Sequence, residues 1–309
     1  MSQTPAIGGI PLVMGGNVFG WTAKGDVGFA VLDAFYEGGG RMIDTADVYS
    51  AWIPGHNGGE SETLIGQWLE SRGVRADMLI HTKTGMLGGK ELYEPARVLR
   101  SLDASLERLR TDYIDLYYAH QDFAELPIGD IVAAFDGAMR TGKVRALGAS
   151  KFGATRLAAA LDAAKVQDAE PFSVLQIQYN LVARNDFGPD LQQLCATHAI
   201  PLLPFFSLAN GFLTGKYRSE ADLAKSARGG RSAGLLTSGA AMLATMDGIA
   251  AETGATLAQI ALAWLNAQPG VGAPIASATS PMQVRELVAA AGLKLDETQL
   301  ARLTATGSA

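Results

Sequence analysis

The sequence contains a single cysteine, Cys195, among 309 residues. That excludes an internal disulfide framework and any cysteine-based metal cluster. Histidine is almost as scarce. His56, His81, His120 and His198 are scattered, and no two have the helical spacing of a zinc site. Lysine and arginine number 25 against 31 acidic residues, a formal net charge of −6, and no stretch is dense in basic side chains. A nucleic-acid partner is therefore not expected. The N-terminus lacks a basic start followed by an apolar run, so no secretory leader is read there. No residue between Glu252 and Arg285 is charged, but Gln259, Asn266, Gln268, Pro269 and several glycines interrupt that stretch. A lipid-facing helix tolerates these poorly. The stretch predicts a buried helix followed by a buried strand, and a cytoplasmic protein with no membrane partner.

Hydrophobic residues make up 48% and charged residues 18%, enough for a large core. Short apolar runs at 11–15, 42–46, 78–84, 113–120, 144–150, 174–180, 200–206 and 271–276 read as buried parallel strands. Between them lie stretches of helical periodicity at 27–37, 60–71, 95–109, 131–140, 155–165, 189–197, 257–267 and 282–290. Glu37-Gly38-Gly39-Gly40 and Thr141-Gly142-Lys143 read as helix ends, and Pro189 and Pro281 as helix starts. Eight strand–helix units with no linker predict an α/β fold of the (β/α)8, or TIM, barrel class, with residues 1–309 as one domain. Residues 208–237 form a long loop after the seventh strand, the kind that closes over or binds a ligand.

Two nucleotide motifs are near-misses. Gly38 and Gly40 lack the third glycine of a dinucleotide fingerprint, since Ile43 stands there. Residues 137–143 end in Gly142-Lys143 but continue with Val144 where a phosphate loop needs Ser or Thr, and the element order is reversed.

Barrel active sites are built at the C-terminal ends of the strands. There the chain delivers Asp44 to Tyr49, His81 to Gly85, Tyr117 to Asp122, Gly148 to Lys151, Gln176 to Asn180 and Pro204 to Ser207. Taken singly, Asp44 reads as a helix cap, Tyr49 as a loop aromatic, Lys83 as a solvated charge and His120 as a core histidine. Converging in one barrel, they read differently. An Asp and a Lys on adjacent strands of an apolar barrel pair, because a lone buried charge costs several kcal/mol, roughly. A phenol beside that ammonium is expected to have a lowered pKa and to donate a proton. A histidine at the next strand end orients a carbonyl oxygen.

With these residues in place, the chain resembles the aldo-keto reductase superfamily from end to end. The matching stretches include Gly15-Gly16-Asn17-Val18-Phe19-Gly20-Trp21, Asp44-Thr45-Ala46-Asp47-Val48-Tyr49, Thr82-Lys83-Thr84-Gly85, Asp115-Leu116-Tyr117-Tyr118-Ala119-His120, Gln176-Ile177-Gln178-Tyr179-Asn180 and Leu208-Ala209-Asn210-Gly211-Phe212-Leu213-Thr214-Gly215-Lys216-Tyr217. The resemblance implies NADPH as cofactor, with NADH also accepted, and a small-molecule aldehyde or ketone as substrate. It implies Tyr49 as proton donor, Lys83 as its pKa modifier, Asp44 as the anchor of Lys83 and His120 as the orienter. It places Ser150 and Gln176 on the nicotinamide carboxamide and Phe205 on the ring. Gly16, Asn17, Ser207, Leu208, Asn210, Gly211, Leu213, Gly215 and Lys216 are further cofactor candidates. Ser277, Thr279, Ser280 and Gln283 are expected around the adenosine 2′-phosphate, where many members carry Lys and Arg. Trp21, Trp52 and Phe123 are candidate substrate walls. The family's usual Asn after Ser150 is here Lys151. An alternative within the same resemblance is a weakly active or non-enzymatic cofactor-sensing subunit, as in the potassium-channel β-subunit branch.

Overall fold

The structure, a computed structural model, describes residues 6–88, 93–224 and 226–306. Seven strands form one sheet: β1 (Val13–Gly15), β2 (Met42–Asp44), β3 (Leu79–Thr84), β4 (Leu116–Ala119), β5 (Leu147–Ser150), β6 (Val174–Gln176) and β7 (Ile275–Ala276). Their order is β6-β5-β4-β3-β2-β1-β7, and every pairing is parallel. The helices are α1 (Gly25–Glu37), α2 (Glu60–Arg72), α3 (Pro95–Leu109), α4 (Ile128–Arg140), α5 (Ala154–Gln167), α6 (Pro189–Thr197), α7 (Glu220–Leu223), α8 (Leu235–Ser238), α9 (Ala240–Thr253), α10 (Leu257–Asn266), α11 (Pro281–Ala289) and α12 (Glu297–Thr306). No helix among the described residues is long and apolar enough to cross a membrane.

The free edges of β6 and β7 are joined by residues 201–205. Leu202 bridges both Leu175 and Val271, and Phe205 bridges Gln178. The Leu203 amide donates to the Leu175 carbonyl at 2.9 Å, and the Ile275 amide to the Pro204 carbonyl at 2.9 Å. This seventh stave closes the (β/α)8 barrel. The sequence predicts a continuous strand over 200–206 and another over 271–276. The structure has bridges in the first and two strand residues in the second. Pro201, Pro204 and Pro274 explain the difference, because each removes an amide donor from the ladder.

Strand parity sorts the side chains into two layers. Val13, Met42, Leu116, Tyr118, Ala146, Val174, Leu203, Ala273 and Ile275 fill the lumen with Ala6. Their neighbours Met14, Ile43, Ile80, Tyr117, Leu147, Leu175 and Leu202 face outward against the helices. Gly148 makes room for the Tyr118 ring, since a Cβ there would lie 2.4 Å from two of its carbons. The inward parity then carries upward from an apolar floor to Asp44, Lys83, His120, Ser150 and Gln176 at the rim.

The 208–237 loop is built of short turns: a 3-10 segment at Ala209–Thr214, then α7, a second 3-10 turn at Gly229–Ser232 and α8. Helices α9 and α12 are absent from the periodicity reading. They pack together through Arg302 and Glu252, whose Nη1 and Oε1 are 2.5 Å apart.

Candidate active site

Asp44 ends β2, Lys83 lies in β3 and His120 follows β4; inward parity turns all three into the mouth of the barrel, Lys83 two residues beyond the register partner of Asp44 and His120 two beyond that of Lys83. The chain after β2 keeps pairing with β3. The Thr45 amide donates to the His81 carbonyl at 2.8 Å, and the Asp47 amide to the Lys83 carbonyl at 3.1 Å. This carries Tyr49 over the lysine. Its carbonyl accepts from the Ser61 amide at 3.2 Å, which ties the turn to α2.

The Lys83 ammonium is fully buried. Its Nζ donates to Asp44 Oδ2 at 2.6 Å and to the Thr45 carbonyl at 2.6 Å, and lies 3.4 Å from Tyr49 Oη. Gln176 Nε2 donates to Asp44 Oδ1 at 2.7 Å, so both carboxylate oxygens are occupied. Burial works against the Lys83 charge, yet attraction to Asp44 and then Tyr49 outweighs it and holds its pKa above the usual lysine value. Burial also pushes the Tyr49 phenol up, and Lys83 recovers only part of that shift. The sequence argument expects a lowered phenol; desolvation is the larger effect, and Tyr49 holds its proton at neutral pH. Burial, then the Lys83 and Lys151 ammoniums, keep His120 well below its ordinary value, so the imidazole is neutral. The Tyr49 and His120 rings meet edge to face at 5.9 Å.

A second buried carboxyl lies beside this group. Asp47 Oδ1 has no hydrogen-bond partner. Burial and then, against the Thr84 hydrogen bond, the nearby Glu62 raise its pKa to about 7. Glu62 itself is held by Thr82 Oγ1 at 2.5 Å and Arg108 Nε at 2.7 Å.

The cofactor candidates fall on the opposite arc of the rim. Ser150 ends β5, and its hydroxyl is buried with no partner. Phe205 is half-buried, and its ring lies 5.1 Å from that of Phe206. Ser207 Oγ donates to the Pro204 carbonyl at 3.0 Å. From Phe206 to Gly215 the backbone repeatedly turns left-handed, at Phe206, Ala209, Asn210, Gly211 and Gly215. Asn210 Oδ1 is buried and unpartnered. The Lys216 side chain lies against Gly211, where a Cβ would come 2.8 Å from its ammonium. Leu208 and Leu213 pack into the apolar layer below. Buried polar atoms left open, a backbone bent repeatedly into the left-handed region and a lysine beside them fit a phosphate-bearing dinucleotide.

At the seam, Ser277 Oγ donates to Asn17 Oδ1 at 2.7 Å, and the Gly16 carbonyl accepts from Ser61 Oγ at 2.8 Å. Ser280 caps α11 and accepts from the Gln283 amide at 3.3 Å. Gln283 Oε1 accepts from the Thr279 amide at 2.8 Å and from its hydroxyl at 3.1 Å. That carboxamide oxygen is thus engaged in the cap. Trp52 meets Tyr49 at 5.6 Å and Trp21 at 6.0 Å, giving an aromatic wall over the phenol. Phe123 is placed differently: it packs on Tyr93 at 5.4 Å and on the layer beneath the helices.

Three contacts escape the sequence argument. The Thr45 carbonyl holds Lys83, Gln176 reaches Asp44 across the lumen, and Arg228 lies over the Trp21 ring at 5.6 Å. Inward parity signals Gln176 as a lumen residue. The Arg228 contact has no signal beyond its place in the long loop.

Comparison with known proteins agrees with this geometry. A family model described as the Aldo/keto reductase family matches residues 11–307. Norsolorinic acid reductase B of Aspergillus parasiticus is 32% identical over 266 residues, covering 82% of this chain and 67% of its own length. The uncharacterized oxidoreductase YrpG of Bacillus subtilis is 29% identical, covering 93% of this chain and 88% of its own. A putative voltage-gated potassium channel subunit beta of Schizosaccharomyces pombe is 30% identical, covering 88% and 82% respectively. On the match across 11–307 and the barrel that carries it, the chain belongs to the aldo/keto reductase family of oxidoreductases.

Proposed function

We propose that this protein reduces aldehydes or ketones to alcohols with NADPH, with Tyr49 as the proton donor. The carrying observation is the Lys83 ammonium, clamped by Asp44 and the Thr45 carbonyl and 3.4 Å from Tyr49 Oη. When bound, the reduced nicotinamide supplies a hydride. The neutral His120 carries one ring N–H, which orients the substrate oxygen near the phenol. The phenol proton passes from Tyr49 Oη to that oxygen, and the adjacent ammonium stabilises the phenolate left behind. Asp44 and Thr45 spend their contacts holding Lys83 still. Trp52 and Trp21 shield the phenol from bulk water.

Ser150, Asn210 and the left-handed backbone after Phe205 support a dinucleotide on the β5-to-β7 side of the rim. The start of α11 supports a 2′-phosphate with neutral donors, so we infer a modest preference for NADPH over NADH. About 10- to 100-fold corresponds to roughly 1.4–2.7 kcal/mol. The test is steady-state oxidation of NADPH and of NADH over a panel of aldehydes and ketones. Absence of turnover across the panel overturns the reductase role, and a preference for NADH overturns the placement of the phosphate. The likeness to the fission-yeast chain named as a channel β subunit favours a second role, a cofactor-sensing subunit. That role predicts tight dinucleotide binding with no turnover beyond a single cycle.

A further inference from the structure

The charges of the catalytic group cancel. Asp44 neutralises Lys83 at 2.6 Å, and His120 carries none. One ammonium beside them has no carboxylate partner among the described residues. Lys151 follows Ser150 with φ +62°, a left-handed conformation that L-residues with a Cβ adopt at a cost. Its amide still donates to the Gln176 carbonyl at 2.9 Å, so the backbone stays with β6. Its side chain turns the other way. Nζ lies 3.1 Å from Gln121 Oε1 and 3.4 Å from Met86 Sδ, over the loops after β4 and β3. That is the His120 side of the mouth, away from the open Ser150 hydroxyl.

Both contacts are with neutral groups. Among the described residues no carboxylate pairs with this ammonium. The acid nearest in sequence to Gln121, Asp122, is committed to Arg156 at 2.8 Å. Burial, then Lys83, pull the Lys151 pKa down, and no described carboxylate raises it. The side chain is half-buried and Met86 beside it is exposed, so the ammonium borders the open mouth. An uncompensated, partly desolvated cation next to the orienting histidine is suited to an anionic substrate.

We propose that Lys151 is the specificity-determining residue of the substrate mouth and selects carbonyl compounds that carry a carboxylate. This rests on the reductase reading above, so its test has one arm that needs no turnover. In the first arm, kcat/KM is measured for para-carboxybenzaldehyde and for benzaldehyde with wild type, Lys151→Met and Lys151→Arg. Lys151→Met is expected to lower kcat/KM for the charged aldehyde about 10- to 100-fold, mainly through KM, while benzaldehyde changes by less than about threefold. Lys151→Arg recovers most of the loss. Equal effects on both aldehydes, or none on the charged one, overturn the proposal. In the second arm, benzoate and benzamide are titrated against the tryptophan fluorescence of the same variants. Benzoate affinity that falls about tenfold in Lys151→Met, with benzamide unchanged, supports the proposal; benzoate affinity that does not change overturns it. A wild type that turns over neither aldehyde counts against the reductase reading alone, and the benzoate arm then decides Lys151.

Discussion

The rim of the barrel has two arcs that differ in whether their buried groups are paired charges or neutral atoms. On the β2-to-β4 arc, Lys83 has two close acceptors beside Tyr49, and Asp44 is filled by Lys83 and Gln176. Thr45, Ser61 and the Gly16 carbonyl form a chain of 2.8 Å hydrogen bonds beneath them. On the β5-to-β7 arc, Ser150 Oγ and Asn210 Oδ1 are buried with nothing to bond, and the backbone bends left-handed repeatedly. Buried polar atoms are nearly always paired in folded proteins. Both arcs bury unpaired polar atoms, and His81 Nδ1, Thr84 Oγ1, Tyr118 Oη and His120 Nδ1 are open on the first. In charge, however, the first arc is complete as folded, its ammonium and carboxylate holding each other. On the reading proposed above, proton chemistry sits with that pair and cofactor binding with the open neutral atoms of the second.

Substitutions can break or sharpen this contrast. The largest expected effect is on the complete arc: Tyr49→Phe lowers kcat by about 10²- to 10⁴-fold and leaves cofactor affinity within a few-fold of wild type. Stopped-flow or steady-state rates beside fluorescence titrations give both numbers, and a matched loss of cofactor affinity would merge the two arcs. Lys83→Met follows. It strands Asp44 in the lumen and costs about 3 kcal/mol of stability in urea melts, the scale for breaking a buried ion pair. A variant as stable as wild type means water reaches the pair.

Asp47 is one of the unpartnered groups on the first arc, and pH reads it. Its carboxyl is raised from 3.8 to about 7. The native state keeps this proton where the unfolded chain has lost it. The contribution is full below the unfolded pKa and falls as pH rises through 7. Between about pH 5.5 and 8, wild type should lose about 2 kcal/mol relative to Asp47→Asn. Parallel melting curves for the two proteins would contradict the assignment. Smallest is Ser150→Ala, on the second arc. It removes an unpaired hydroxyl, so the ligand-free protein melts no earlier, while NADPH binding weakens about tenfold. Earlier melting would mean that Ser150 is already satisfied without ligand.

The complete arc was the more legible in sequence, for a physical reason. Asp44, Lys83 and His120 sit on strands whose period-two pattern states which way each side chain points, and neighbouring strands share a level. The floor of the lumen follows from the same pattern. Long-range contacts do not: Gln176 lies 132 residues from Asp44, and no local signal joins them. Phe123 reads as a pocket aromatic, and no local signal foretells its contact with Tyr93. Lys151 reads as a replacement for a cofactor ligand, and no local signal tells that its side chain reaches Gln121 and Met86. Helix α9 was missed because its Ala-, Gly- and Met-rich sequence has little polar contrast between faces.

The proline-broken seventh stave has a thermodynamic consequence. Pro201 and Pro204 each take an amide donor from this join, and residues 206–215 follow directly from it. A molecule that fastens the loop also fastens the seam beneath it. Occupancy and ring integrity are then linked equilibria, and saturation at about a hundred times Kd adds roughly 2.7 kcal/mol to the folded state. Protection of the Leu202, Leu203 and Phe205 amides against hydrogen exchange becomes a local gauge of that occupancy, at a distance from the chemistry itself.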